Sequence, residues 1–155
     1  MLCQFNVSVM KFTSSDPRLA DYLAAIDAIH QIAEASEGFL WRLTNDGVHP
    51  AALAFLGPHH LANLSAWTDL ESLFRFVQHP WHRAIMVRRD QWFLHSGEAV
   101  SVLWDCPDEA PWPTLVEGIE RLKRLRSEGP SIEAYQFAWA RQTGRLGMDP
   151  GISAW

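Results

Sequence analysis

Apolar and polar positions alternate from Leu2 to Met10, with Cys3, Phe5, Val7 and Val9 on one side and Gln4, Asn6 and Ser8 on the other. Period two marks a strand. From Asp16-Pro17, an N-cap and a first helical proline, the spacing lengthens. Leu19, Tyr22, Leu23, Ile26, His30 and Ala33 then form the inner stripe of a helix that Gly38 ends. Residues 39–43 read as a second strand, Asn45-Asp46-Gly47 as a turn, and residues 51–56 as the returning strand. That strand is apolar on both faces, so both sides of the sheet need cover. After the loop Gly57-Pro58-His59-His60, residues 61–67 again have strand character.

Thr68 and Glu71 have the spacing of a capping box and open a helix on Leu70, Leu73, Phe74 and Val77. Pro80 closes that helix and starts another over 81–93, with His82, Ile85, Met86, Arg89 and Phe93 on one stripe. Residues 99–104 read as a strand, and Pro107, Pro111 and Pro113 stiffen a linker. Thr114 and Glu117 cap a helix on Leu115, Ile119, Leu122 and Leu125 that stops at Gly129-Pro130. Residues 134–139 suggest a short edge strand. Past Arg141 no pattern remains, which predicts a single domain over 1–140 and a loosely held, dispensable tail over 141–155.

This order predicts an α+β, ferredoxin-like sandwich with its helices on one face of a largely antiparallel sheet. The other face, carrying Leu40, Leu53, Leu64 and Ala66, is then too apolar for water, and a second copy stacked on it gives a homodimer.

Composition narrows the function. The chain has 155 residues and a formal charge of −5, which argues against a nucleic-acid partner. The cluster Arg121, Lys123, Arg124 and Arg126 is interleaved with Glu117, Glu120 and Glu128 and reads as a solvated helix face. Eight Trp and eight Phe against two Tyr supply flat apolar walls for a core or an aromatic ligand. The two cysteines, Cys3 and Cys106, lack metal or redox spacing and are expected as free thiols in a reducing compartment. With no signal-peptide pattern and no apolar run of membrane length, the expected location is cytoplasmic, away from membranes.

Candidate chemistry gathers between Asn63 and Phe93. Asn63, Ser65 and Trp67 share one face of a strand, and the helix that follows offers His82, Met86 and Arg89. His30 lies on the inner stripe of the first helix. Amide, hydroxyl, indole, imidazole and guanidinium together suit a small-molecule pocket. His79 and His82, with His59-His60, do not make a three-ligand set, so no metal is expected. No serine nucleophile elbow, phosphate loop or dinucleotide fingerprint is present.

Several short motifs occur in a familiar order. They are Gly38-Phe39-Leu40-Trp41-Arg42-Leu43, Asn63-x-Ser65-x-Trp67, Phe76-Val77 with His82, Arg88-Arg89 before Trp92-Phe93, Leu103-Trp104, and Pro113-Thr114 before the helix ending at Gly129-Pro130. Over residues 2–138 the chain resembles a family of small bacterial domains of unknown function in the dimeric α/β-barrel superfamily, to which the antibiotic-biosynthesis monooxygenases also belong. The resemblance implies a ferredoxin-like dimer. In those monooxygenases an Asn and a Trp four apart on a strand help line a pocket for an electron-rich phenolic or anthrone-like substrate. Asn63 and Trp67 match that spacing. His30 stands where the family is expected to carry Asn, so the polar lining differs.

The resulting expectation is a cofactor-free oxygenation or cyclisation of an aromatic or polyketide-like metabolite, begun by proton abstraction. His82 or His30 would be the base, Asn63 the oxyanion donor, and Trp67, Trp41 and Trp92 the aromatic walls. The alternatives are a haem-binding enzyme or sensor on the same fold, as in some members of the superfamily, and a non-catalytic metabolite-binding dimer.

Overall fold

A computed structural model describes residues 1–13, 15–44 and 59–147. The expected turn at 45–47, the expected strand over 51–56 and the end of the tail from 148 lie outside the described residues. Among the described residues, four strands form one antiparallel sheet: β1 (Leu2–Val9), β2 (Phe39–Arg42), β3 (His60–Trp67) and β4 (Ser101–Asp105). Their order across the sheet is β2-β3-β1-β4, so β1 lies between β3 and β4. Leu2 pairs with Trp67 and Asp105, and Asn6 with Asn63 and Ser101. This is the α+β, ferredoxin-like arrangement expected from the sequence.

Among the described residues the helices are α1 (Ala20–Ala35), α2 (Leu70–Val77), α3 (Pro80–Val87), α4 (Leu115–Glu128) and α5 (Phe137–Gln142). Asp16 caps the short turn of 3-10 helix that leads into α1. The cap of α2 is Asp69, not Thr68: its Oδ1 accepts from the Ser72 amide at 2.8 Å, while the Thr68 hydroxyl donates to Asp69 Oδ2. Thr114 caps α4 as expected, accepting from the Glu117 amide. The α3 helix stops at Val87 and gives way to a 3-10 turn at Arg89–Gln91, short of the expected 93.

The helices occupy both faces, which corrects the expectation of a bare one. Cys3, Phe5, Val7, Leu64, Val102 and Trp104 form a core with Leu115, Ile119, Leu122 and Leu125 of α4. Gly118 permits this contact, because a Cβ there would meet Cγ of the buried Phe5 ring at 2.7 Å. Leu64 and Ala66, expected to need a second copy as cover, are buried within the single chain.

The opposite face receives α1, α2, α3 and α5. At one end of it Leu2, Ala33, Trp67, Leu70, Leu73, Leu103, Tyr135, Ala140 and Leu146 pack together. At the other, Met10, Leu19, Tyr22, Trp92 and Phe93 do so, flanked by Ile26, Leu61 and Ile85. The expected edge strand reduces to Ala134 and Tyr135, where Tyr135 bridges to Leu103, before α5 begins at Phe137. Packing continues to Leu146, which is 3% exposed.

Candidate functional site

Between these two apolar clusters, the α1 side of the sheet carries a belt of polar groups. Along β3 the inward positions run Leu61, Asn63, Ser65, Trp67, so both ends are apolar and the middle is polar. On β1 the neighbours are Ser8, Asn6, Gln4 and Leu2. Ser101 extends the Asn6–Asn63 row on β4, and Arg42 extends the Gln4–Ser65 row on β2. The amides and hydroxyls of β1 therefore face a helix layer, although strand alternation alone makes them look like a solvent face.

Trp67 anchors one end of the belt at 1% exposure. Its Nε1–H donates to Ser65 Oγ at 3.0 Å, and the Ser65 hydroxyl donates to Gln4 Oε1 at 3.0 Å. Phe39 meets the Trp67 ring edge-on at 5.3 Å and Phe76 stacks on it at 5.2 Å. In the middle of the belt His30 of α1 comes close to the Asn63 side chain. Partial burial lowers the pKa of His30 below 6.5, and the nearby Arg42 guanidinium lowers it further; Asn63, Asp27 and Glu34 pull the other way. A neutral imidazole, the form that accepts a proton, is thus favoured. Arg42 itself donates to Glu34 on α1 at 2.6 Å. Asn6 Oδ1 is buried without a hydrogen-bond partner. Such an unpaired acceptor carries a desolvation cost that a donor group would relieve.

His82 lies on the same side of the sheet as Trp67, but Phe76 stands between them. The imidazole packs on Phe76 with centroids 5.1 Å apart. Its Nδ1–H donates to the Val77 carbonyl at 3.0 Å, leaving Nε2 with the lone pair. Burial lowers its pKa as well.

The remaining expected site residues divide. Trp92 is buried in the cluster with Met10, Leu19 and Phe93, 5.5 Å from Tyr22, and Arg89 is half-buried in the 3-10 turn after α3. Met86 is 38% exposed. Trp41 is a correction: it pairs with Ala66, so it lies on the α4 face and stacks with Trp112 at 5.7 Å. The β-bulge between Phe39 and Trp41 breaks the simple alternation of β2 and leaves Leu40 exposed. Gln4, Asn6, Ser101, Arg42 and Phe76 belong to the neighbourhood without having been singled out. The alternating Gln4, Asn6 and Ser8 were the available signal. Among the described residues, no three His, Cys, Asp or Glu side chains come together as a metal site.

Sheet order, helix placement and the interior polar belt define an α+β protein of the ferredoxin-like class. Residues 1–146 match the family described as Domain of unknown function (DUF3291), and the chain belongs to that family. No curated protein matches the chain. Among solved structures it is similar to SnoaB from Streptomyces nogalater, a cofactor-independent oxygenase, at 12% identity and a TM-score of 0.47 over 71% of this chain and 96% of that one. A protein of unknown function from Nitrosomonas europaea gives 13% identity and a TM-score of 0.47, over 73% and 94%. A dabb family protein with a ferredoxin-like fold from Mesorhizobium loti gives 17% and 0.43, over 68% and 97%. Among the described residues, no helix is long and apolar enough to cross a membrane.

Proposed function

We propose that this protein is a small-molecule enzyme that begins its reaction by taking a proton from an activated C–H or phenol of an aromatic or polyketide-like substrate. The observation that carries the reading is the approach of His30 to the Asn63 side chain in a polar belt between two aromatic-rich clusters. His30, held neutral, is the base. Asn63 supplies an amide, and Arg42 a positive field, to the oxyanion that forms as the proton leaves. Asn6 Oδ1 accepts a hydroxyl of the substrate. Trp67, Phe76 and Trp92 are the aromatic walls, Ser65 fixes the Trp67 indole, and the Arg88 guanidinium, 4.8 Å over the Trp92 ring, closes that end. The carbanion or phenolate then cyclises, or reacts with dioxygen. In an oxygenation of an activated methylene, one oxygen atom becomes the carbonyl and the other leaves in water with the two hydrogens. No bound cofactor is needed for the deprotonation. The protein works as a cytoplasmic homodimer in this reading, and Leu40, Trp41 and Trp112, exposed or half-buried beside the β2 edge, are the surface offered to the second copy.

The experiment is a screen of polycyclic phenols and anthrones by quenching of tryptophan fluorescence, followed by oxygen uptake and product mass. His30→Gln keeps a hydrogen-bonding group beside Asn63 but removes the base, so turnover should fall by about two to four orders of magnitude while binding persists. Equal turnover in the variant would remove His30 from the chemistry.

A second reading follows from His82. Nδ1–H bonded to a backbone carbonyl is the arrangement that orients a metal-ligating imidazole and leaves Nε2 to bind. A haem protein would take its iron there, and an intense Soret band after haem titration, lost in His82→Ala, is its test.

A further inference from the structure

Cys3 and Cys106 lie on the α4 side of the sheet, away from the polar belt. Cys3 is fully buried on β1 under α4, whereas Cys106, one residue past β4, is half-buried. Their sulfurs are 3.2 Å apart, with the Cys3 thiol donating to Cys106 Sγ. The pairing of the strands produces this approach: Cys3 is opposite Trp104, and the Cys106 amide donates to the Met1 carbonyl, so the cysteines are diagonal neighbours on one face. A disulfide requires ~2.05 Å between sulfurs, so closure needs an approach of about 1 Å. Cys106 has already left the regular strand, where the backbone can give most easily.

We propose that Cys3 and Cys106 are a reversible redox pair that closes to an intramolecular disulfide, clamping β1 to the segment that leads from β4 to α4. The oxidant is a peroxide. The half-exposed Cys106 attacks as thiolate and becomes a sulfenic acid, and the peroxide's second oxygen leaves as hydroxide. The Cys3 sulfur then attacks the sulfenic sulfur; its proton joins the departing hydroxyl as water. Two thiols lose two electrons and two protons in all, and the peroxide is reduced to water, or to water and an alcohol. Burial pushes the Cys3 thiol well above its ordinary range, so Cys3 resolves and does not initiate. The clamp sits where the chain leaves for Pro107–Pro113, the linker that lays Trp112 on Trp41 and delivers α4 onto the sheet.

The full chain, reduced and then treated with stoichiometric hydrogen peroxide, is to be alkylated under denaturing conditions and weighed intact. The expected product is a monomer lighter by two hydrogens, taking up no alkylating agent, restored by dithiothreitol, and yielding a Cys3–Cys106 cross-linked peptide on digestion. Cys3→Ser and Cys106→Ser each abolish it, with near-UV circular dichroism establishing that the variants are folded. The oxidised form should melt about 5–15 °C higher, as a cross-link closing a loop of this size implies. Two alkylatable thiols after oxidation, a stable sulfinic acid on Cys106 with Cys3 free, or cross-linked dimers in place of the monomer would each overturn the pair. An oxidised monomer that melts no higher would overturn the clamp.

Discussion

Ser65 shows how much one hydroxyl can hold. It accepts from the Trp67 indole and donates to Gln4, so Ser65→Ala strands a buried donor and a half-buried acceptor at once. The expected loss is about 1–3 kcal/mol in urea unfolding, with the fold kept. His30 and His82 give the pH dependence. Both have pKa values held below 6.5 by burial, so below 6.5 the unfolded chain binds protons that the folded chain resists. Stability from these groups is complete above 6.5 and drains away as pH falls through their folded values. The melting temperature should therefore fall between about pH 7.5 and pH 5.5, and His82→Gln should flatten that fall. A slope unchanged in His82→Gln would show that His82 contributes none of it.

At the scale of elements, α4 depends on the missing side chain of Gly118. Alanine is the better helix former by about 1 kcal/mol, but its Cβ would press into Cγ of a fully buried Phe5. Overpacking costs of about 1–3 kcal/mol exceed that gain, so Gly118→Ala should lower the melting temperature. A rise would mean that the ring shifts freely. The elements were largely legible from spacing: β1, α1, β3 and α4 stand close to where periodicity puts them, and Thr114 caps as its motif predicts. Their relations were not. Gln4, Asn6 and Ser8 form the polar side of β1, and sequence gives no sign that this side faces α1. Trp41 sits on the α4 face because a bulge shifts β2 against β3. Asp69 displaced Thr68 as cap because both can fill that role and only the chain's path decides. His30 and Asn63 meet through the register of β3 against β1 and the placing of α1, which local pattern does not encode.

For the whole molecule, the choice of faces changes the case for a dimer. The chain covers its own sheet with α4, so the proposed homodimer is assigned to the edge beside β2, with Leu40 at 42% and Trp112 at 47% exposure. Light scattering at micromolar concentration should return twice the mass of 17.6 kDa, and Trp112→Glu should return it to one. A monomeric wild-type chain would end the proposal.

The place of β1 in the sheet also governs when the molecule can come into being. The first of these four strands to be synthesised is a central one, and its two partners follow about 60 and 100 residues later. At ~5–20 residues per second, β4 trails β1 by roughly 5–20 s. On the ribosome Phe5 and Val7 have no neighbouring strand until β3 is made, and their covering helix is not complete until Glu128. A nascent chain of this protein therefore keeps an apolar first strand in need of shielding at the tunnel exit until α4 has emerged.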